Sequence, residues 1–164
     1  QECANQGLEF DAASKKMQVN QNHCVGCGRC LGACNFDAIA FDSSAALSDL
    51  NCRMAEYTKA VIDGRPCFHI SLVVDVSPNC DCHCENDAPI LPNIGMFASF
   101  DPVALDEACA EMCSRMPRNP NASFEDISSD DLFHAVHTVT HWQDQTEHGE
   151  KIGLGSREYE LIEI

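Results

Sequence analysis

Four closely spaced cysteines are the residues of this sequence with the clearest chemical capability. In the segment CVGCGRCLGAC, the pattern C-x2-C-x2-C-x3-C is made by Cys24, Cys27, Cys30 and Cys34. Thiolates at such short spacing can surround one metal centre, and the intervening glycines let the backbone approach it closely. Structural zinc sites usually combine two well-separated pairs of cysteines instead. The segment is therefore predicted to bind a metal cluster.

The spacing of these cysteines resembles that of bacterial [4Fe-4S] ferredoxins, whose close thiolates hold one cluster. In two-cluster ferredoxins the fourth cysteine of each motif ligates the other cluster. By this rule Cys34 would not complete the cluster of Cys24, Cys27 and Cys30. Cys3 is the expected fourth ligand, because CANQGLEFD copies the motif's tail CNFDAIAFD and a predicted strand pair then leads into Cys24.

Two features depart from the ferredoxin pattern. Asn35 replaces the proline that usually follows the last cysteine, and no earlier cluster motif precedes Cys3. We therefore expect this chain to be the C-terminal part of a longer protein, in which Cys34 would ligate the cluster of the missing motif. One [4Fe-4S] cluster is expected in the chain itself.

A second group of cysteines lies in the loop SPNCDCHCENDAPILPN, directly after a predicted strand, and consists of Cys80, Cys82 and Cys84. Side chains at i, i+2 and i+4 of an extended segment point the same way, so three thiolates could meet at a second cluster or metal ion. Further candidate ligands are Cys67, Cys52, His83 and Asp87. The alternative is a set of metal-free thiols in a reducing cell.

The remaining cysteines and histidines favour structural roles. Cys109 and Cys113 lie one turn apart on a predicted helix and are expected to be small core residues without a mutual disulfide. A packed or solvated helix face is favoured over metal ligation for three histidines at i, i+3 and i+7, which are His134, His137 and His141.

Three carboxylates stand out near the second cysteine group. Asp101 precedes Pro102 and is interpreted as a helix cap. Asp87 and Asp106 are candidates for chemistry only because of their neighbourhood in the sequence.

The elements that must position these residues can be predicted from periodicity and turn residues. Two predicted strands, GLEF and KKMQVN, flank a turn. A short helix is predicted after the glycine-rich loop, and AIAF is predicted as a third strand. A helix over 45–62 carries apolar residues at spacings of three and four. CFHISLVVDV and IGMFAS are predicted buried strands, a helix runs from Asp101 to Arg115, and helical pieces fill 128–152. REYELIEI alternates like a final strand.

These elements predict a mixed α+β or α/β fold in two parts. Residues 1–43 would form a partial bacterial ferredoxin-like module lacking its first half. Residues 44–164 would form the C-terminal part of an α/β domain with a buried sheet and flanking helices.

Three further segments are similar to a known family. They resemble the uncharacterised iron–sulfur centre proteins of domain-of-unknown-function family 362. The three segments are RMAEYTKAV, SPNCDCHCENDAPILPNIGMFASFDPVALDEA and EKIGLGSREYELIEI. The resemblance implies an α/β domain into which a ferredoxin module is inserted. It also implies that the large N-terminal part of this α/β domain is absent here. Cys80 and Cys82 match the family's CDC, while Cys84 is an addition. The resemblance implies no substrate.

Charge and composition bound the partners. A net charge of −16 over 164 residues excludes nucleic acid and anionic membranes as expected partners. The negative charge favours docking onto a basic patch of a redox partner. Alternatively, the acidic surface does no more than keep the protein soluble. Because no leader or membrane span is recognised in the sequence, a cytoplasmic protein is predicted. The twelve cysteines indicate a reducing compartment and an anaerobic host.

The predicted function is electron transfer at low potential through the [4Fe-4S] cluster. The alternative is an oxidoreductase with a second metal or substrate site at the Cys80, Cys82 and Cys84 loop, supplied with electrons by the cluster. A third interpretation makes the cluster a structural staple. No substrate, donor or acceptor can be assigned from the sequence.

Overall fold

Two compact units make up the chain, Gln1–Ser43 and Ser44–Ile164. The computed structural model describes residues 3–36, 38–39, 43–80 and 87–164. In chain order their elements are β1 (Leu8–Asp11), β2 (Lys16–Val19), α1 (Arg29–Gly32), α2 (Ser43–Ile62), β3 (His69–Val73), β4 (Gly95–Ser99), α3 (Pro102–Arg115), α4 (Leu132–Val136) and α5 (Gln143–Lys151). Helices and two small antiparallel sheets give the described residues an α+β character. None of their helices has the length and apolarity to cross a membrane.

The first unit is built on a β-hairpin. β1 pairs antiparallel with β2, and Asp11 lies opposite Lys16 at the turn. The Asp11 carboxylate accepts hydrogen bonds from the Ser14 hydroxyl at 2.6 Å and from Ala13 N at 2.9 Å, and these bonds lower its pKa. The hairpin and α1 confirm the predicted strand pair and short helix. The predicted strand AIAF falls partly outside the described residues, and residues 38–39 are not in a strand.

A two-stranded sheet backed by one helix organises the second unit. β3 pairs antiparallel with β4, with Val73 opposite Gly95, and α3 packs against both strands. The Asp101 carboxylate caps α3 by accepting hydrogen bonds from Val103 N at 2.8 Å and Ala104 N at 3.0 Å. The predicted helix and its cap are confirmed. The loss of this cap would leave the first amide groups of the helix without partners.

The outer face of this sheet is open to solvent, so the buried position predicted for both strands was wrong. Ile70, Leu72 and Met96 are 58%, 67% and 67% exposed. The physical reason is that α3 covers only the opposite face, where Val73 is buried. Among the described residues no second layer packs on the outer face.

The final strand predicted for REYELIEI was also wrong, since residues 157–164 adopt no regular structure. Side chains of this segment bond to α3 instead. The Arg157 guanidinium donates to both carboxylate oxygens of buried Glu107, at 3.0 and 3.1 Å, and the Tyr159 hydroxyl donates to Glu111 at 2.7 Å. These side-chain bonds, rather than a backbone ladder, hold the segment in place.

The core of the second unit lies between the sheet, α3, α4 and the loop before β4. Its buried residues are Val73, Ile90, Leu91, Cys113, Leu132 and Val136. Ile90 and Leu91 belong to the segment predicted as an irregular loop, and they are irregular yet buried. The loop is fastened by Ile90 N, which donates to Val76 O at 2.8 Å, and by Asn119 N, which donates to Ile90 O at 2.8 Å.

The long helix α2 confirms the helix predicted over 45–62. Much of its apolar stripe is nevertheless exposed, at Leu50, Met54, Tyr57 and Val61. The helix instead buries Ala55 and contacts α5 through polar side chains. Glu56 lies 3.2 Å from the His148 Nε2, and the Lys59 ammonium donates to the carbonyl of Ile152.

Candidate metal centre

The hairpin of the first unit brings the start of the chain to the cysteine motif. Beyond the paired strands, Asn20 N donates a hydrogen bond to Gly7 O at 2.9 Å. A tight turn follows, in which His23 N and Cys24 N both donate to Asn20 O, at 3.1 and 2.9 Å. Asn20 therefore links Gly7 directly to the first cysteine of the motif.

Gly7 allows a very close approach to Cys24. Gly7 is buried, and a Cβ atom built on it would lie 3.1 to 3.3 Å from the Cα, N and Cβ atoms of Cys24. Contacts at the lower end of this range are tighter than side chains normally tolerate. The absence of a side chain at Gly7 is therefore what lets the two segments meet.

A turn then directs Cys3 back toward the motif. Gln6 N donates to Cys3 O at 3.3 Å, and Gln6 has a left-handed backbone with φ of 54°. Gly7 N donates a hydrogen bond to the Cys3 sulfur at 3.1 Å. This hydrogen bond fixes the Cys3 sulfur beside Gly7, the residue that touches Cys24.

Four cysteines consequently line one cavity of about 360 Å³ in the first unit. The four are Cys3, Cys24, Cys27 and Cys30, and the other lining residues include Gly28 and Arg29. Gly26 and Gly28 have φ of 68° and 70°, a left-handed conformation that favours glycine. Cys34 does not line this cavity, and its amide donates to Leu31 O at the end of α1.

The donor set around this cavity fits a thiolate-ligated cluster in residue type and number. Cys24 and Cys27 are exposed, while Cys3 and Cys30 are half-buried. No three histidine, cysteine or carboxylate side chains of the described ranges already stand at metal-ligand distances. The thiols thus surround a common space without being drawn together, and a bound cluster would have to bring them to ligand distance.

The second group of predicted ligands falls largely outside the described residues. Cys82, Cys84 and His83 belong to the undescribed segment, and Cys80 at its edge is exposed. Cys52 and Cys67 are half-buried, and within the described part they join no metal-ligating group. A metal site in this loop stays a prediction.

Cys109 and Cys113 are core residues, as predicted. Cys113 is buried in the main core and Cys109 packs against it. Burial, with a further contribution from Asp106, raises the pKa of Cys109 to about 11, and burial also raises the pKa of Cys113. Both thiols therefore stay protonated at neutral pH and are poor metal ligands or nucleophiles.

The three histidines do not share one helix face. α4 ends at Val136, so His137 and His141 lie beyond it. His137 Nε2 is 2.7 Å from Pro78 O, which fixes that ring against the loop. The rings of His134 and His141 are 6.4 Å apart. The helix that begins after the cap residue Asp131 ends at Val136, and His137 already has an extended backbone. A continuous helix through all three histidines is therefore not formed.

The candidate carboxylates have structural partners. Asp106 accepts a hydrogen bond from the Gln145 amide at 3.1 Å, and its pKa is raised by desolvation. Asp87 accepts one from Ala88 N at 2.7 Å. These contacts do not point to a reaction at either side chain.

Sequence reasoning missed the positioning roles of Gly7 and Asn20. The sequence does contain one relevant feature, a glycine at position 7 between CANQ and the first strand. Its significance depends on the distance to Cys24, seventeen positions later, which no local pattern reports.

One family model matches the chain. The model of DUF362, a domain of unknown function, matches residues 8–111, which is more than half of the chain. The chain therefore belongs to this family. The match includes the cysteine motif of the first unit and reaches α3 in the second. The curated proteins and the solved structures contain no match to the chain.

Proposed function

We propose that this chain binds one [4Fe-4S] cluster through Cys3, Cys24, Cys27 and Cys30 and transfers single electrons at low potential. The observation that carries the proposal is that these four thiols line one cavity while Cys34 does not. The C-x2-C-x2-C spacing supports it independently, since it is the ligand spacing of bacterial [4Fe-4S] ferredoxins. A ferredoxin-like module in the first unit is part of this proposal.

Each residue around the cavity has a defined role in the proposal. When bound, a [4Fe-4S] cluster supplies reversible one-electron chemistry. The four cysteine sulfurs would hold it, and Gly7 N, by donating to the Cys3 sulfur, would offset part of the negative charge. Gly28 lines the cavity, and its lack of a side chain leaves the backbone there open to the cluster. The exposure of Cys24 and Cys27 would leave the centre near the surface, where electrons can be exchanged with a partner.

The charge of the chain bears on its partner. At a net charge of −16, the surface would favour a redox protein with a basic patch. An oxidoreductase site at the Cys80, Cys82 and Cys84 loop is the second proposal carried from the sequence. It depends on residues outside the described ranges, so electron transfer is favoured.

Single substitutions at Cys3 and Cys34 test the ligand set. Because Cys3 lines the cavity and Cys34 does not, we expect Cys3→Ala to lose the cluster or retain a three-iron form. Cys34→Ala should keep about four iron atoms per chain, as a [4Fe-4S] cluster requires. Anaerobic reconstitution with iron and sulfide, followed by iron analysis and low-temperature paramagnetic resonance, measures both.

Cys109→Ala is the matched control, because this half-buried thiol lies on α3 in the other unit and its raised pKa makes it a poor metal ligand. A cluster lost in Cys34→Ala but kept in Cys3→Ala would show that the crossed-ligand assignment is wrong. If neither single variant loses iron, the double variant decides: loss of the cluster there would show that Cys34 substitutes for Cys3, and retention would show that another ligand completes the site.

A substitution at Gly7 tests the positioning of Cys3. In Gly7→Ala the new methyl group would lie 3.1 Å from the Cys24 Cα, so the segment bearing Cys3 must move away. We expect iron occupancy after reconstitution to fall at least about twofold, the direction seen when groups that orient metal ligands are lost. Gly32→Ala is the control, since a Cβ there meets nothing within 4 Å. Equal iron occupancy in both variants would contradict a positioning role for Gly7.

A further inference from the structure

The charge around the cysteine cavity is the reverse of the charge of the whole chain. The chain has 26 acidic residues against ten lysines and arginines. Twelve of the described residues line the cavity, and none of these is acidic. Arg29 is the one lysine or arginine among them. A cavity that four thiols would fill with negative charge thus has a cation in its wall and no carboxylate.

The acidic residues are also unevenly divided between the two units. Residues 1–43 contain five acidic and three basic residues, which gives a net charge of −2. The other −14 of the chain's −16 therefore belongs to residues 44–164. Because few charges lie in the first unit, a single cation is a large share of the charge close to the cavity.

Arg29 is not committed to a carboxylate elsewhere. Arg53, Arg115 and Arg157 each form an ion pair with a glutamate. In the part of the chain that the structure describes, no ion pair involves Arg29. An arginine side chain keeps its charge at every pH at which proteins are folded, so Arg29 supplies a fixed positive charge.

The position of Arg29 along the chain places that charge at the ligands. Arg29 is the first residue of α1, and it lies between Gly28 and Cys30, which both line the cavity. Gly28 has no side chain to separate the guanidinium from the space next to it. The hairpin lysines Lys15 and Lys16 carry the same charge in the same unit, but they do not line the cavity.

We propose that the Arg29 guanidinium offsets the negative charge of the bound [4Fe-4S] centre and so raises its reduction potential. This inference rests on the proposed function. On reduction, one electron passes from an external donor to a centre that its four thiolates already make negative, with no bond made or broken and no proton transferred. A nearby positive charge attracts the more negative, reduced state more strongly. Arg29 therefore favours the reduced state.

The midpoint potential of Arg29→Gln tests this role. The full chain is reconstituted anaerobically and titrated against an electrode, and reduction is followed by visible absorption and paramagnetic resonance. At a fixed applied potential, we expect the ratio of reduced to oxidised protein to fall at least about threefold in Arg29→Gln. This change corresponds to a potential lower by about 28 mV, at 59 mV per tenfold for one electron. The expected effect is modest because Arg29 is exposed and water and salt screen its charge.

Two further variants separate a local effect from a general one. Lys15→Gln removes the same charge from an exposed position of the same unit, away from the cavity, and should leave the potential close to that of the parent. Arg29→Lys keeps the charge and should lie closer to the parent than Arg29→Gln does. An equal shift in Lys15→Gln, or no shift in Arg29→Gln, would overturn the proposal.

Iron analysis distinguishes failure of this inference from failure of the proposed function. A parent chain that takes up no iron would contradict the proposed function itself. Full iron in the parent and in Arg29→Gln, with equal potentials, would contradict only the role of Arg29. If Arg29→Gln does not hold iron, Arg29→Lys decides. Iron retained with lysine would show that the centre needs the positive charge, whereas iron lost in both variants would show a role in folding the loop and would overturn the proposal.

Discussion

Alanine at any one of Cys24, Cys27 and Cys30 is expected to abolish the brown chromophore of the reconstituted protein and to unfold its first unit. Each of the three lines the cavity, and each is a ligand under the proposed function. The described part of the first unit contributes no buried hydrophobic side chain to the core. Without an apolar core, a short hairpin and a four-residue helix depend on the metal for their order.

Iron analysis, visible absorption and limited proteolysis measure this effect together. Proteolysis should cut residues 3–36 in the variants while the second unit resists, because that unit has its own core. Cys34→Ala is the control that changes a thiol of the same loop. A full iron complement in any one of the three variants would refute the assignment of that cysteine as a ligand.

Gly155→Ala is expected to destabilise the second unit by about 2 kcal/mol, the scale of an overpacked interior site. A Cβ on Gly155 would lie 2.0 Å from the Asp101 Oδ1, the oxygen that caps α3. The substitution must therefore displace the cap, the main chain of the tail, or both. The tail contact of Ser156 N with Asp101 would be lost in either case.

A double-mutant cycle separates this clash from other causes. Asp101→Ser shortens the side chain but keeps a good capping residue, so the cap itself should cost below about 1 kcal/mol, and the lost hydrogen bond from Ser156 N should add about 1 kcal/mol. Gly155→Ala in that background should cost clearly less than in the parent, because the carboxylate is gone. Denaturant unfolding followed by Trp142, the single tryptophan, reports on the second unit. Strictly additive costs would show that the contact with Asp101 is not the cause.

Features that depend on short stretches of chain could be predicted from the sequence. The cap and start of α3 follow from Asp101 and Pro102, whose side chains act within one turn. The β1–β2 hairpin, the short helix α1 and the long helix α2 follow equally from local periodicity and turn residues. The metal-binding hypothesis also depends on a short stretch, because three of its candidate ligands lie within seven residues, and it stays a prediction.

Burial was less predictable, because it depends on which layers meet. The β-branched run of β3 is typical of a strand covered on both faces, yet Ile70 and Leu72 are exposed where only α3 packs on the sheet. The loop residue Ile90 is buried although its segment is rich in proline, asparagine and aspartate. A pattern indicates that a side chain is apolar, but only the fold supplies the surface that covers it.

The sequence alone predicted the β1–β2 hairpin, the helices α1, α2 and α3, and the hypothesis of a metal site at the cysteine motif, since these depend on residues close together along the chain. Only the tertiary structure decided which distant residues meet. It brought Gly7 against Cys24, and it directed the alternating end of the chain onto α3 through Glu107 and Glu111. Such contacts depend on distances between segments far apart in sequence, and neither periodicity nor spacing encodes those distances.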